Sequence, residues 1–218
     1  MTITDITPVP KAKSRYRIFI DEEFAFVLYK GELRHYDIDV GNELSIESYH
    51  EIITKVLPKR AKLRALNLLK SSRYTEYQIR TKLTKAAYTN HEHLDTIIDE
   101  TINYLKSYKY LDDEQYTKDY ITCYITAKSR NRLSQDLQKK GIPKEMAETI
   151  YLELLTETST AAEDIETTQD EIETTQIQAL LKKKKYNKDT ADLKTKQRTF
   201  AFLFRKGYSP ESISKFIK

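Results

Sequence analysis

Leu137-Gln138-Lys139-Lys140-Gly141-Ile142 reads as the end of a helix: a hydrophobic anchor among charged residues, a basic residue two places on, then a tight turn closed by an apolar residue. Gly141 stands where a helix-terminating glycine is expected, and Pro143 suits the first position of the next helix. Two more copies of the pattern occur, Leu83-Thr-Lys-Ala-Ala-Tyr88 and Leu203-Phe-Arg-Lys-Gly-Tyr208. Each is followed by a helix-start signal and a further amphipathic run, so the repeated object is a helical supersecondary unit. Such a repeat points to an elongated binding surface, not to a catalytic pocket.

Working outward, the periodicity is helical almost throughout beyond Pro58. In a first unit, Leu63, Leu66 and Leu69 line one helix, Tyr77 or Ile79 with Leu83 a second, and Leu94, Ile97, Ile98, Ile102 and Leu105 a third. The second unit opens at Asp112, a capping residue with Gln115 in the capping-box position, and takes Tyr116, Tyr120, Cys123 and Ala127 as its first apolar stripe. Its second helix runs over 130–140, and its third turns Met146, Ile150 and Leu154 inward. A third unit uses 172–185, 193–206 and a last short helix from Pro210 through Ile213 and Phe216. Between the last two units, 156–175 is acidic with little apolar content, a solvated insertion or an extended helix end.

Upstream, residues 15–28 place Arg-Tyr-Arg-Ile-Phe-Ile and Phe-Ala-Phe-Val-Leu either side of a polar turn, which predicts a β-hairpin. A third short strand is expected through Tyr36, Ile38 and Val40. Ser45 is an N-cap for a helix to Val56, and Pro58 marks a break. The fold class is therefore mainly α, three tandem three-helix units and nine helices with a small N-terminal β-hairpin module. The expected boundaries are 1–57 for the β-rich module with its helix, 58–110 for unit one, 111–156 for unit two, and 157–218 for the acidic insertion and unit three.

Composition agrees. Four glycines and five prolines in 218 residues are too few for an all-β chain. Cys123 is the only cysteine, which excludes an internal disulfide or cysteine-based zinc site and gives a reducing compartment as the expectation. No apolar run approaches the ~20 residues of a membrane span, and no leader segment is evident, so a soluble intracellular protein is expected.

The net charge is only +4, and the distribution matters more. Two residues after each anchor stand Lys85, Lys139 and Arg205; the next positions are Ala86, Lys140 and Lys206; five before stand Gln78, Arg132 and Arg198. Cations repeated on successive helices track a phosphate backbone, with salt-dependent affinity from counterion release. Arg60, Lys62, Arg64, Arg73, Arg80 and the lysines at 182–185 extend the set. From Glu145 to Leu181, by contrast, there is no Lys or Arg while acids abound, a stretch suited to a basic protein partner. For any single cation, solvation of an outer helix face is the simpler account; the recurrence argues for the set.

Enzyme signals are weak. Gly31, Gly41, Gly141 and Gly207 are too dispersed to cradle a nucleotide phosphate. His91-Glu92-His93 points two imidazoles away from each other on a helix, which disfavours a metal site. Asp112-Asp113-Glu114 has the composition of a Mg²⁺-binding nuclease cluster, but helix capping and the macrodipole account for consecutive carboxylates at a helix start.

Residues Tyr108-Lys-Tyr110-Leu111-Asp112-Asp113-Glu-Gln-Tyr116 resemble the "gly-tyr-leu-asp-asp-x-x-phe/tyr-ala" joint of the RecX regulatory proteins, and Arg132-Leu133 with the Leu137 to Ile142 hexapeptide resembles their second unit. Tyr16-Arg-Ile-Phe-Ile-Asp21 and Phe24-Ala-Phe26 are similar to the β-hairpin extension of members from low-GC Gram-positive bacteria. The resemblance covers nearly the whole chain and is strongest over 73–155. It implies an elongated, curved array that lies in the groove of the RecA recombinase filament on single-stranded DNA. It further implies that the protein blocks extension or promotes disassembly, lowering strand exchange and ATP hydrolysis without chemistry of its own. A cytoplasmic monomer without cofactor, metal or membrane contact is expected. The residues assigned to DNA or filament contact are Arg80, Lys85, Arg130, Arg132, Lys139, Lys140, Arg198, Arg205 and Lys206. A stand-alone helical nucleic-acid-binding protein of the transcriptional-regulator type is the alternative.

Overall fold

The computed structural model describes all residues except 11, 13, 87, 88, 159–163 and 218; the side chains of 91, 92, 158 and 164–166 also lie outside the description. The chain forms two compact units, Met1–Asp112 and Asp113–Lys218.

In the first unit, β1 (Ile3–Pro8), β2 (Arg15–Ile20) and β3 (Glu23–Tyr29) make an antiparallel sheet in that order. The predicted hairpin is β2–β3, with Arg15 opposite Tyr29 and Ile18 opposite Phe26. Its turn residues Asp21 and Glu22 both have left-handed backbones, φ 49° and 71°, the twist that matches a two-residue hairpin. The third strand is β1, not 36–40. Its isoleucines, Ile3 and Ile6, are three apart, out of strand alternation until a register shift between Ile3 and Asp5, and the segment ends in prolines, but Ile3 is fully buried.

Where a strand was expected, α1 (Lys30–His35) forms instead, with the Glu32 carboxylate accepting from the Tyr29 amide at 2.6 Å. Its end explains Ile38. The Ile38 amide donates to the Leu33 carbonyl at 2.8 Å across Asp37, whose φ is 51°, so Ile38 closes a helix C-cap and is buried while Val40 is exposed.

The expected break at Pro58 is absent. Ser45 caps α2 (Ile46–Glu51) by accepting from the Ser48 amide, as predicted, but a π-helical turn over Ile52–Val56 carries the chain without interruption into α3 (Leu57–Ser71). Proline removes the amide that would bond Thr54 and its ring crowds that carbonyl. The wider turn, closed by Leu57 N–H to the Ile52 carbonyl, absorbs both effects. The inward face of α3 is Leu57, Ala61 and Ala65, with Leu66 and Leu69 half-buried and Leu63 turned out.

α4 (Glu76–Thr84) and α5 (His91–Ser107) complete the unit. Ile79, Leu83 and the predicted stripe from Leu94 to Leu105 are all buried, in one core with Ile18, Phe26 and Leu28 of the sheet and Ile52 and Leu57 of the long helix. Each such side chain contributes about 1.5–3 kcal/mol.

The second unit holds two triple-helix clusters. α6 (Asp113–Tyr124), α7 (Arg130–Gln138) and α8 (Lys144–Thr158) enclose Ile121, Leu133, Leu137, Ile142, Ile150 and Leu155. On α6 the inward positions are Thr117 and Ile121, with Tyr116 and Tyr120 half-buried; Cys123, two residues on from Ile121, falls on the outer face, and Ala127 is exposed beyond the helix end at Tyr124. α9 (Asp164–Lys183), α10 (Leu193–Arg205) and α11 (Pro210–Ile217) enclose Ile177, Leu181, Leu203, Tyr208, Ile213 and Ile217. The described part of the acidic stretch is thus helix, shared between α8 and α9.

The repeated hexapeptide is a helix C-cap. Leu83, Leu137 and Leu203 are each fully buried. The amides of Ile142 and Tyr208 donate to the carbonyls of Leu137 and Leu203, across Gly141 and Gly207 at φ 87° and 94°. The closing residue of the first copy, Tyr88, lies outside the described residues. The same bond recurs from Tyr110 to Leu105 and from Tyr186 to Leu181, with Lys109 and Lys185 in the left-handed position.

Candidate nucleic-acid interface

In the second unit a cap positions the cations. The Ser129 hydroxyl accepts from the Arg132 amide and starts α7, while its own proton goes to the Lys206 carbonyl at 2.7 Å. Beside it the Asn131 amide donates to the Gly207 carbonyl at 3.0 Å. The end of α10 is therefore fixed against the beginning of α7. Arg198 and Arg205 are seven residues apart on α10, and Arg132 and Lys139 seven apart on α7, so each pair shares one helix face about 10 Å apart. The end of α10, with Arg205 and Lys206, thus meets the start of α7, with Arg132.

Along α7 the ridge is organised by one acid. Asp136 accepts from Lys128 at 2.9 Å, pairs with Arg132 at 3.2 Å and receives the Tyr120 hydroxyl at 3.4 Å. Burial opposes ionisation of this carboxyl, but the hydrogen bond and charge of Lys128 and the charges of Arg132 and Lys139 outweigh it and hold its pKa below the ordinary value. Burial likewise disfavours the Lys128 ammonium; its bonds to Tyr120 and Asp136 prevail and raise its pKa. Lys128 also lies over the rings of Tyr124 and Tyr120, at 4.2 Å and 5.0 Å, and Lys140 over Tyr116 and Tyr120, at 5.7 Å and 5.6 Å. The result is a row of tyrosines held between ammonium groups.

The nine predicted residues fall into three groups. Arg132, Lys139 and Lys140 belong to the α7 ridge, and Arg198, Arg205 and Lys206 are exposed on α10 and its end, with Lys206 over Phe202 at 5.8 Å. Arg130 is instead turned inward: it donates twice to the Glu148 carboxylate and to the Gln169 side chain at 3.1 Å, and covers Tyr151 at 5.3 Å, tying α7 to α8 and α9. Burial, first, and nearby acids push the Tyr151 hydroxyl up to about 12 despite Arg130. Arg80 and Lys85 lie in the first unit. Arg80 is paired with Glu76 at 2.7 Å and Asp99 at 2.6 Å, whereas Lys85 ends α4 in solvent.

Sequence reasoning missed Lys128; Lys184, one of the lysines at 182–185 expected to extend the set, lies over Phe202 at 4.3 Å. For Lys128 a signal was present: 128, 132, 136 and 140 share one helical spacing, a basic-basic-acidic-basic row.

No group of three or more His, Cys, Asp or Glu among the described residues is placed to hold a metal ion, Asp112, Asp113 and Glu114 included. The side chains of His91 and Glu92 lie outside the description; His93 meets the Tyr49 hydroxyl at 3.2 Å. No helix among the described residues is long and apolar enough to cross a membrane.

Comparison with known proteins gives one consistent result. Residues 171–217 match the family model described as RecX, third three-helix domain. The chain is 28% identical over 221 residues to Regulatory protein RecX of Clostridium acetobutylicum, covering all of this chain and 95% of that one. It is 29% identical over 216 residues to Regulatory protein RecX of Caldanaerobacter subterraneus subsp. tengcongensis, covering 99% and 98%. A solved structure titled "Crystal structure of regulatory protein RecX" superposes with a TM-score of 0.56 at 24% identity, covering 99% of this chain and 98% of the other, a likeness of fold. Full-length similarity to regulatory proteins of one name, a matching third triple-helix domain and a shared fold, on helices that repeat one capped unit, mark this chain as similar to the RecX regulatory proteins over its whole length.

Proposed function

We propose that this protein is a non-enzymatic regulator that binds the RecA–single-stranded DNA filament and inhibits or destabilises it, modulating recombination and DNA repair. Similarity to the RecX regulatory proteins supplies the recombinase as partner. The observation that supports the DNA half is the join at Ser129, where the end of α10, bearing Arg205 and Lys206, is locked to the start of α7, bearing Arg132. Phosphates laid along Arg198, Arg205, Lys206, Arg132, Lys139 and Lys140 would release counterions, and the bases would meet the tyrosines of α6. The triple-helix units over 58–110, 111–156 and 157–218 then act as successive binding modules of a cytoplasmic monomer.

The test is ATP turnover by RecA on single-stranded DNA, titrated with substoichiometric protein. Turnover is expected to fall well before one regulator is present per recombinase. Unchanged turnover, with a base-sequence preference on duplex DNA, would make the protein a stand-alone regulator instead.

A further inference from the structure

The first unit carries an open, strongly basic face that the reading above does not use. On β2, Arg15, Arg17 and Phe19 alternate with the core residues Tyr16, Ile18 and Ile20, so they share the outer sheet face with Tyr29, Val27 and Phe24 across the ladder. This face bounds two adjoining grooves of about 840 Å³ and 600 Å³, which have Arg15 and Arg64 in common. The opposite wall is α3, which presents Lys59, Leu63 and Arg64, and Lys85 stands at the far end.

Arg15, Arg17, Lys59, Arg64 and Lys85 have no ion-pair partner among the described residues. Among the described residues lining the grooves the one acid, Glu32, is taken by Arg60 in a two-point bond, and Arg60 also donates to the Val27 carbonyl at 2.6 Å. Asp5, opposite Phe19, is turned to the Ile6 amide at 2.8 Å. The rings are accessible: Tyr29 is 40% exposed, and Phe19 and Phe24 meet edge to face at 5.9 Å, half-buried.

We propose that this sheet face and α3 form a second nucleic-acid site, separate from the α7–α10 ridge and independent of it, that takes one single strand. Five uncompensated cations need a ligand with several successive charges. Three of them are arginines, whose planar fork matches phosphate. Rings set between the cations need a ligand with a flat face per charge, which a single strand offers and a polypeptide does not. An acidic peptide would gain most by adding as a strand, but the β3 edge is already covered where the Asn90 amide and the Thr89 hydroxyl donate to the Ala25 carbonyl.

The experiment measures binding of the full chain to a labelled oligothymidylate across a salt series. Arg17→Glu with Arg64→Glu, both exposed, is compared with Lys139→Glu with Arg205→Glu, and thermal unfolding confirms that each variant is folded. The first pair is expected to weaken binding at least about tenfold at low salt and to flatten the salt slope by about 1.4, two lost contacts at about 0.7 each. Tyr29→Leu is expected to weaken binding with the slope unchanged. Unaltered affinity and slope for the Arg17/Arg64 pair would overturn the second site, while the ridge would stand or fall on the Lys139/Arg205 pair alone. Displacement of the oligonucleotide from the Lys139/Arg205 variant by polyglutamate as readily as by unlabelled oligothymidylate would also overturn it, making the groove a site for acidic polypeptide.

Discussion

Ser129 and Gly207 pack closer than a side chain allows: a Cβ on Gly207 would lie 2.6 Å from the Ser129 hydroxyl oxygen and 3.3 Å from the Arg132 amide nitrogen. Gly207 also holds a left-handed backbone at φ 94°. Gly41, at φ 91°, has the same strain and open space around it. Gly41→Ala is therefore expected to cost about 1 kcal/mol, and Gly207→Ala about 2–4 kcal/mol, in urea unfolding. Equal losses would show that the contact with Ser129 contributes nothing.

Asp136 gives the second unit an acid-sensitive element. Its pKa is depressed in the folded chain, so its contribution is fully present above the unfolded value of about 3.9 and disappears as pH falls through the lower folded value. The stability difference between the parent chain and Asp136→Asn is expected to be largest near neutrality and to close below about pH 4. A gap independent of pH would mean that the side chain acts through shape alone.

Charge reversals separate cations that hold the fold from cations free to bind. Arg130 bridges three helices, and Arg130→Gln leaves Glu148 without its partner; a loss of about 1–2 kcal/mol in unfolding is expected for this partly exposed pair. Lys139→Glu and Arg205→Glu alter exposed helix ends and are expected to shift stability by no more than about 0.5 kcal/mol. They are expected to lower affinity for single-stranded DNA several-fold at low salt. Full DNA affinity in the Lys139/Arg205 double variant would remove the ridge from the binding account.

The helical units were legible because hydrophobic spacing and helix-terminating glycines act locally: Leu137 and Gly141, and Leu203 and Gly207, are in contact through a few backbone bonds. What misled was also local. Tyr36, Ile38 and Val40 alternate as a strand does, yet Ile38 is buried by a capping bond, and Pro58 looks like a stop until a π-helical turn precedes it. Leu63 and Cys123 fit apolar stripes, but tertiary packing selected Ala61, Ala65, Thr117 and Ile121 and left them outside. For the site, the repeat indicated which positions bear cations and not which are already engaged. The partners of Arg130 are 18 and 39 residues away and those of Arg80 include one 19 away, separations at which no helical spacing applies.

Gln176 has a consequence for how such a protein would let go. Its buried amide nitrogen donates to the Ile125 and Lys128 carbonyls at 2.6 Å and 3.1 Å, and its oxygen receives the Tyr208 hydroxyl at 2.9 Å. This brace carries no net charge, so dissolved ions have nothing to screen there, while attraction to a polyanion fades steeply as ions are added. Rising ionic strength would thus detach the ligand from a scaffold that keeps its shape, ready to engage again on dilution.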